Sequence, residues 1–264
     1  MRLVDSHCHI DYPALVKDRD GVVERARAAG VCRMVNISTT RRDYDTVRQT
    51  AEHYEDVFCT VGVHPHHVHE EGEQLSAEDL IGFAEHPKVV GIGETGLDYF
   101  YKTAPVEAQH DSFRRHLRAS AATGLPVIVH SRDAEEDTIR LLQEEYAASN
   151  GRLTGVLHCF SSRRILAEEA LKLGFYVSLS GILTFKKSEE LRSIAKDVPV
   201  DRLLVETDSP FLAPEPYRGK ICEPAYVTQT AKVLAEIKNT SADAIAEQTT
   251  ENFFRLFNKV TRPS

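Results

Sequence analysis

Two histidines one residue apart close the first apolar run of the chain, Val4-Asp5-Ser6-His7-Cys8-His9. In an extended strand the side chains at i and i+2 share a face, with Cα atoms roughly 6.5–7 Å apart, so two imidazoles can close on one metal ion. Taken alone, a His-x-His pair is equally compatible with a half-exposed strand of no chemical use. The placement, however, recurs. Val-Gly-Ile-Gly-Glu94, Val-Ile-Val-His130, Gly-Val-Leu-His158 and Leu-Leu-Val-Glu-Thr-Asp208 each carry a metal-suitable residue at the end of an apolar run, and His64 closes another. Neutral imidazoles combined with carboxylates suit zinc, manganese, iron or, less well, magnesium. His7, His9, His130 and His158 with Glu94 and Asp208 exceed what one tetrahedral zinc needs. Two ions some 3.5–4 Å apart, sharing a carboxylate, would use the full set. No lysine stands at an equivalent late-strand position, which leaves Glu94 as the natural bridge.

Residues so far apart in sequence converge only if the elements between them repeat. Short β-rich apolar runs cover Leu3–His9, Cys32–Ile37, Val57–Val63, Val89–Glu94, Pro126–His130, Leu153–His158, Phe175–Leu179 and Leu203–Asp208. Helical spacing fills the gaps at Gly21–Ala29, Asp43–His53, Ser76–Glu85, Val106–Thr123, Ala134–Ala148, Arg163–Leu173 and Glu189–Lys196, and Tyr226–Ile237 and Ala242–Phe257 close the chain. Ser76 with Asp79 three residues on reads as a variant capping box. Gly30, Gly124 and Gly174 fall where helices should end. Alternating strand and helix implies parallel strands with helices outside, and eight such units match an α/β fold of the (β/α)₈ TIM-like barrel type, one domain over residues 1–264. A doubly wound open sheet is the competing architecture. Polar residues at the C-terminal ends of several strands favour the barrel, where such residues face one mouth.

Composition narrows the function classes. Of 264 residues, 42% are hydrophobic and 27% charged, with 11 Pro and 14 Gly, as in an ordinary globular protein. No apolar run approaches the roughly 20 residues of a membrane span, and no basic region followed by an apolar stretch opens the chain. The five cysteines are widely spaced and form no C-x-x-C, so a cytoplasmic setting is expected. A net charge of −8 argues against a protein that coats nucleic acid, but not against an enzyme that binds a few phosphates through a local basic rim.

Several motifs resemble those of the TatD family of metal-dependent deoxyribonucleases within the amidohydrolase superfamily. They are Asp5-Ser6-His7-Cys8-His9, Val61-Gly62-Val63-His64-Pro65-His66, Gly93-Glu94-Thr95-Gly96-Leu97-Asp98-Tyr99, His158-Cys159-Phe160-Ser161, Gly181-Ile182-Leu183-Thr184-Phe185-Lys186, Glu206-Thr207-Asp208-Ser209-Pro210 and Glu251-Asn252-Phe253-Phe254-Arg255-Leu256-Phe257. The resemblance runs in order from residue 2 to about residue 258. It implies a barrel holding one or two divalent ions (zinc, magnesium or manganese) and hydrolysis of phosphodiester bonds in DNA, often from the 3′ end. On the matching positions it implies His7, His9 and Asp208 as ligands of a first metal and His130 and His158 of a second, with Glu94 joining them. It further implies water activated by the ions' charge, Asp208 as acceptor of that water's proton, and His64 as a donor to the scissile phosphate. Three positions depart from the family pattern: Cys222 stands for Asn before Glu223-Pro224, Tyr217 for the His that commonly precedes Arg218, and Ser162 for Gly. These leave the metal set intact and touch the substrate-facing loops.

Arg132, Lys186, Arg218 and Lys220 are the cations expected to meet phosphates. His66, His67 and His69 read as a solvated loop, and Cys8 and Cys159 as turned away from the mouth into packing. Phe100 or Tyr101, just after Glu94, is placed to stack on a base. DNA is the expected, transient partner, with no membrane and no stable protein partner. A hydrolase of another small ester, lactone or amide on the same site is the alternative, and a non-catalytic metal-binding scaffold is the alternative of another class.

Overall fold

The computed structural model describes residues 2–70 and 72–263. Eight parallel strands lie side by side in chain order: β1 Leu3–Cys8, β2 Val31–Asn36, β3 Val57–Val61, β4 Val89–Asp98, β5 Val127–Arg132, β6 Gly155–Leu157, β7 Tyr176–Leu179 and β8 Leu203–Val205. That sequential order has no reversal, which excludes the doubly wound sheet. The sheet curls until its ends meet: just past β8 the Asp208 N–H donates to the His7 carbonyl at 2.9 Å, and the His9 N–H donates to the Ser209 carbonyl at 2.8 Å. A nearly closed (β/α)₈ barrel results, its strands running to the same mouth.

Helices α1 Arg19–Ala28, α2 Tyr44–His53, α3 Ala77–Ala84, α4 Val106–Thr123, α5 Glu135–Ala148, α6 Arg164–Lys172, α7 Glu189–Asp197 and α8 Val227–Ile237 alternate with or follow the strands, and α9 Ala242–Leu256 ends the fold. The Ser76 hydroxyl accepts the Asp79 N–H while the Asp79 carboxylate accepts the Ser76 N–H, so the expected capping box forms at α3. Gly30, Gly124 and Gly174 take left-handed φ values of 92°, 72° and 84°, as their helix-end positions suggested.

Two apolar layers hold the barrel. One is built from a single residue of every strand, Val4, Val35, Phe58, Val90, Ile128, Val156, Tyr176 and Leu204, closed below by Phe253 of α9 and Phe257 just past its end. The other packs the outer strand faces against the surrounding helices. The C-terminal helix thus plugs the base and leaves the opposite end for polar groups. Among the described residues no helix is long and apolar enough to cross a membrane.

Candidate active site

Strand ends deliver the predicted residues to one place. His7 lies on β1 with His9 just beyond it, Glu94 is inside β4, His130 is inside β5, and His64, His158 and Asp208 follow β3, β6 and β8. His7 Nε2 and His9 Nε2 are 3.2 Å apart, and Asp208 Oδ1 lies 3.5 and 3.4 Å from them. Three donors roughly 2.0–2.2 Å from one tetrahedral ion would be separated by roughly 3.3–3.6 Å, close to what is seen. Glu94 stands between two groups of donors. Its Oε2 faces His7 Nε2 at 3.4 Å and His9 Nε2 at 4.0 Å, while its Oε1 faces His158 Nε2 at 2.8 Å and His130 Nδ1 and His64 Nε2 at 3.3 Å each.

Hydrogen bonding sorts these histidines. His130 Nε2 is 3.0 Å from Asp98 Oδ2; donating there leaves the Nδ1 lone pair facing Glu94. His158 Nδ1 sits 3.4 Å from Glu206 Oε1, leaving Nε2 toward Glu94. Both nitrogens are fully buried and neither makes a well-directed hydrogen bond; Nε2 and Glu94 Oε1, 2.8 Å apart, are aimed at a common point rather than at each other. His64 differs. Its Nδ1 accepts the His66 N–H at 3.2 Å, so the neutral ring carries its proton on Nε2, which becomes a donor rather than a lone pair for a cation. The donor set and the orphaned nitrogen together fit divalent metal at His7, His9, Glu94, His130, His158 and Asp208.

Among the protein groups alone, burial lowers His7 and takes His64 down to about 4, keeping both as neutral imidazoles. Burial also opposes charge on His130 and His158. The first is nonetheless raised by hydrogen bonds to Asp98 and Glu94, the second well above its ordinary value by the charge of Glu94. Burial would raise Glu94 and Asp208, yet the surrounding histidines hold both carboxyls below the usual range. His116 offers a contrast. Buried on α4, it faces the Ser112 carbonyl through Nδ1 at 2.8 Å and accepts the Val63 N–H at 3.0 Å through Nε2, so it is a satisfied core histidine.

The backbone around the site is fitted closely. At Gly96, φ is 136° and a Cβ would fall 1.9 Å from the His130 carbonyl oxygen, so only glycine lets β4 lie this near the His130 strand. Asp5, buried beneath the mouth, accepts the Thr207 N–H at 2.9 Å and its hydroxyl at 2.6 Å, fixing the segment that presents Asp208.

A cavity of about 570 Å³ opens above these groups, lined among others by His64, Glu94, His130, Arg132, His158 and Asp208. Of the expected phosphate contacts, Arg132 lines it. Arg218 instead stacks over Phe185 at 3.8 Å, and Lys186 and Lys220 line neither this cavity nor the one beside it. Cys8 turns away as expected, its Sγ 3.4 Å from the Val35 carbonyl. Cys159 does not: its φ of 43° breaks the strand alternation and brings it to the cavity wall. His66 is likewise no solvated loop residue, since it lies 2.9 Å from Asp98 Oδ2 and lines the mouth. Asp98 and Glu206 were not singled out from sequence. Asp98 is i+4 to Glu94 on a strand that runs past its expected end, and Glu206 stands just past β8, so both depend on strand ends that the apolar runs do not mark.

A family model described as TatD related DNase matches residues 4–258. An uncharacterized metal-dependent hydrolase, YcfH of Escherichia coli K12, is 44% identical over 261 residues, covering 98% of this chain and 96% of its own. A protein of Escherichia fergusonii named 3′-5′ ssDNA/RNA exonuclease TatD is 34% identical over 246 residues, covering 91% and 93%. The crystal structure of YJJV, a TatD homolog from Escherichia coli K12, superposes with a TM-score of 0.89 at 30% identity, covering 97% of this chain and 98% of that one.

Proposed function

The chain belongs to the TatD family of metal-dependent hydrolases, and on that premise we propose that it cleaves phosphodiester bonds of DNA, working from the 3′ end. One observation carries the reading: Glu94 stands between two groups of converging donors, His7, His9 and Asp208 on one side and His130 and His158 on the other, at the floor of a cavity whose rim carries Arg132. His7, His9 and Asp208 would hold one divalent ion and His130 and His158 a second, with Glu94 shared. Ions held there would supply Lewis acidity, easing deprotonation of water and polarising a phosphoryl oxygen.

The protein's own groups complete the chemistry. Asp208, whose side chain is 16% exposed beside His7 and His9, is placed to take the proton of the attacking water. His64, neutral and protonated on Nε2, donates to a phosphoryl oxygen at the cavity. Arg132, at the end of β5, meets the next phosphate. The name of the Escherichia fergusonii relative supports the exonuclease polarity proposed for this chain.

The deciding experiment strips the protein of metal, reloads it with zinc, manganese or magnesium, and presents single- and double-stranded DNA, RNA, small phosphodiesters, lactones and acylated amino acids. Metal-dependent shortening of 3′-ended DNA is expected. A reloaded enzyme that degrades no nucleic acid yet opens a lactone would overturn the proposal in favour of another ester or amide as substrate.

A further inference from the structure

A second cavity of about 510 Å³ adjoins the mouth and shares Ser131, Arg132, Ser161, Ile182 and Leu212 with it, so the two form one branched groove. Phe100 stands on the wall of the side branch and is 52% exposed; its neighbour Tyr101, on the mouth, is 55% exposed. Exposed rings on a loop would ordinarily be mobile surface. Here the backbone that carries them is pinned, because the Phe100 and Tyr101 N–H groups both donate to Oδ1 of the buried Asp98, at 3.0 and 2.9 Å. The Arg132 guanidinium lies 4.1 Å from the Phe100 ring centre and 4.9 Å from that of Tyr101. Among the described residues no carboxylate comes within ion-pairing distance of Arg132, so its charge faces the groove uncompensated.

We propose that this side branch is a nucleotide subsite: Phe100, backed by Arg132, stacks on the penultimate base of a single-stranded 3′ end while Arg132 contacts the phosphate at the junction. The inference rests on the nuclease reading above. Charge sets the orientation. Glu135 is paired with Arg163 at 3.3 Å on the same wall, but Asp133 and Glu190 leave the branch with an acidic balance that disfavours a phosphate and admits an uncharged base, whereas the junction carries the free guanidinium of Arg132. The Ser162 hydroxyl, at the position where the family pattern has glycine, donates to the Ser131 carbonyl at 3.0 Å and ties the two strand ends that form the wall. A ring held rigidly and left open is a platform for an unpaired base and has no means of reading which base it is.

The test uses metal-loaded protein and a single-stranded hexanucleotide with a non-cleavable terminal linkage, carrying fluorescent 2-aminopurine either as the penultimate 3′ base or at the 5′ end. Wild type should quench the penultimate probe and leave the 5′ probe bright. Phe100→Ala should abolish that quenching and weaken binding about 5- to 150-fold, the range for loss of one base–aromatic stack. Phe100→Trp should restore both. Unchanged quenching and affinity in Phe100→Ala, or no rescue by tryptophan, would overturn the subsite, while metal-dependent degradation of ordinary DNA by the wild type would still support the nuclease reading. A wild type that neither binds the hexanucleotide nor degrades DNA would overturn the nuclease reading and the subsite together.

Discussion

Asp98 holds two parts of the mouth with one carboxylate. Its Oδ2 sits 3.0 Å from His130 and 2.9 Å from His66, and its Oδ1 takes the N–H groups of Phe100 and Tyr101. Burial alone would raise this carboxyl, but hydrogen bonds from His130 and His66 drive it far below the usual carboxylate range, so it remains an acceptor for both rings. Fixing Nε2–H of a histidine turns its other nitrogen toward the metal and raises its basicity. The substitution Asp98→Asn keeps the shape and Oδ1 while removing the charge. On the two-ion reading proposed above, we expect it to weaken metal binding at His130 about 10- to 100-fold and to leave metal binding at His7, His9 and Asp208 unchanged. Equilibrium dialysis against limiting zinc reads this directly, as loss of one bound ion per chain. Unchanged stoichiometry across that range would mean that Asp98 serves only the backbone turn.

At the scale of elements, the sequence was most legible where a pattern repeated. Each strand core lies within or one residue from its expected run, because strands buried on both faces read as continuous apolar runs and the flanking helices recur around the barrel. Strand ends were harder. The apolar run of β4 stops at Glu94, but pairing with β5 continues through Thr95, Gly96 and Leu97 to Asp98, so the strand extends over a stretch whose only apolar residue is Leu97. The converse holds at β6 and β8, where His158 and Asp208 lie past the ladder. Ligand types were legible because they close apolar runs; Asp98, Glu206 and the exposed face of Cys159 depend on those strand ends and were not. Joins between elements were equally hidden, as at the base, where Arg27 of α1 grips Asp56 just before β3 through two bonds of 2.8 and 2.7 Å. Burial would raise the Asp56 carboxyl, yet Arg27 outweighs it and the group is lowered below its ordinary 3.8. A lowered folded value means stabilisation that is present above that ordinary value and is lost as pH falls through the folded one. Asp56→Asn should therefore cost about 1 kcal/mol at neutral pH, near the upper end for a partly exposed pair. The gap to wild type should close below the ordinary carboxylate range. Thermal unfolding of both proteins from pH 7 down to pH 3 measures it; a gap that is constant with pH would assign the cost to packing instead.

The molecule as a whole carries a net charge of −8, and this decides how it can handle a polyanion. On the nuclease reading attraction must be local, and the cations expected to supply it lie on the C-terminal face of the barrel. Arg132 rests on aromatic rings without a carboxylate partner, and Arg218 does the same over Phe185, donating only to the Ala213 carbonyl at 3.0 Å. Lys186 and Lys220 lie on the same side, in the loops after β7 and β8. On the nuclease reading these four cations are the ones that meet phosphate. Each contact with a single strand contributes about 0.7 to the slope of log affinity against log salt, so the full slope should be no steeper than about 3. Arg132→Gln should reduce it by about 0.7 and weaken all sequences alike, since a phosphate contact carries no base information. Titrating a labelled single strand between 50 and 200 mM salt tests both statements, with roughly these concentrations chosen because phosphate-dominated binding changes most across them. A slope well beyond 3, or one that Arg132→Gln leaves untouched, would place the strand on a different and more extended surface. A shallow slope would instead mean that the mouth draws its substrate mainly through metal and stacking, with a short basic rim to set the chain's path.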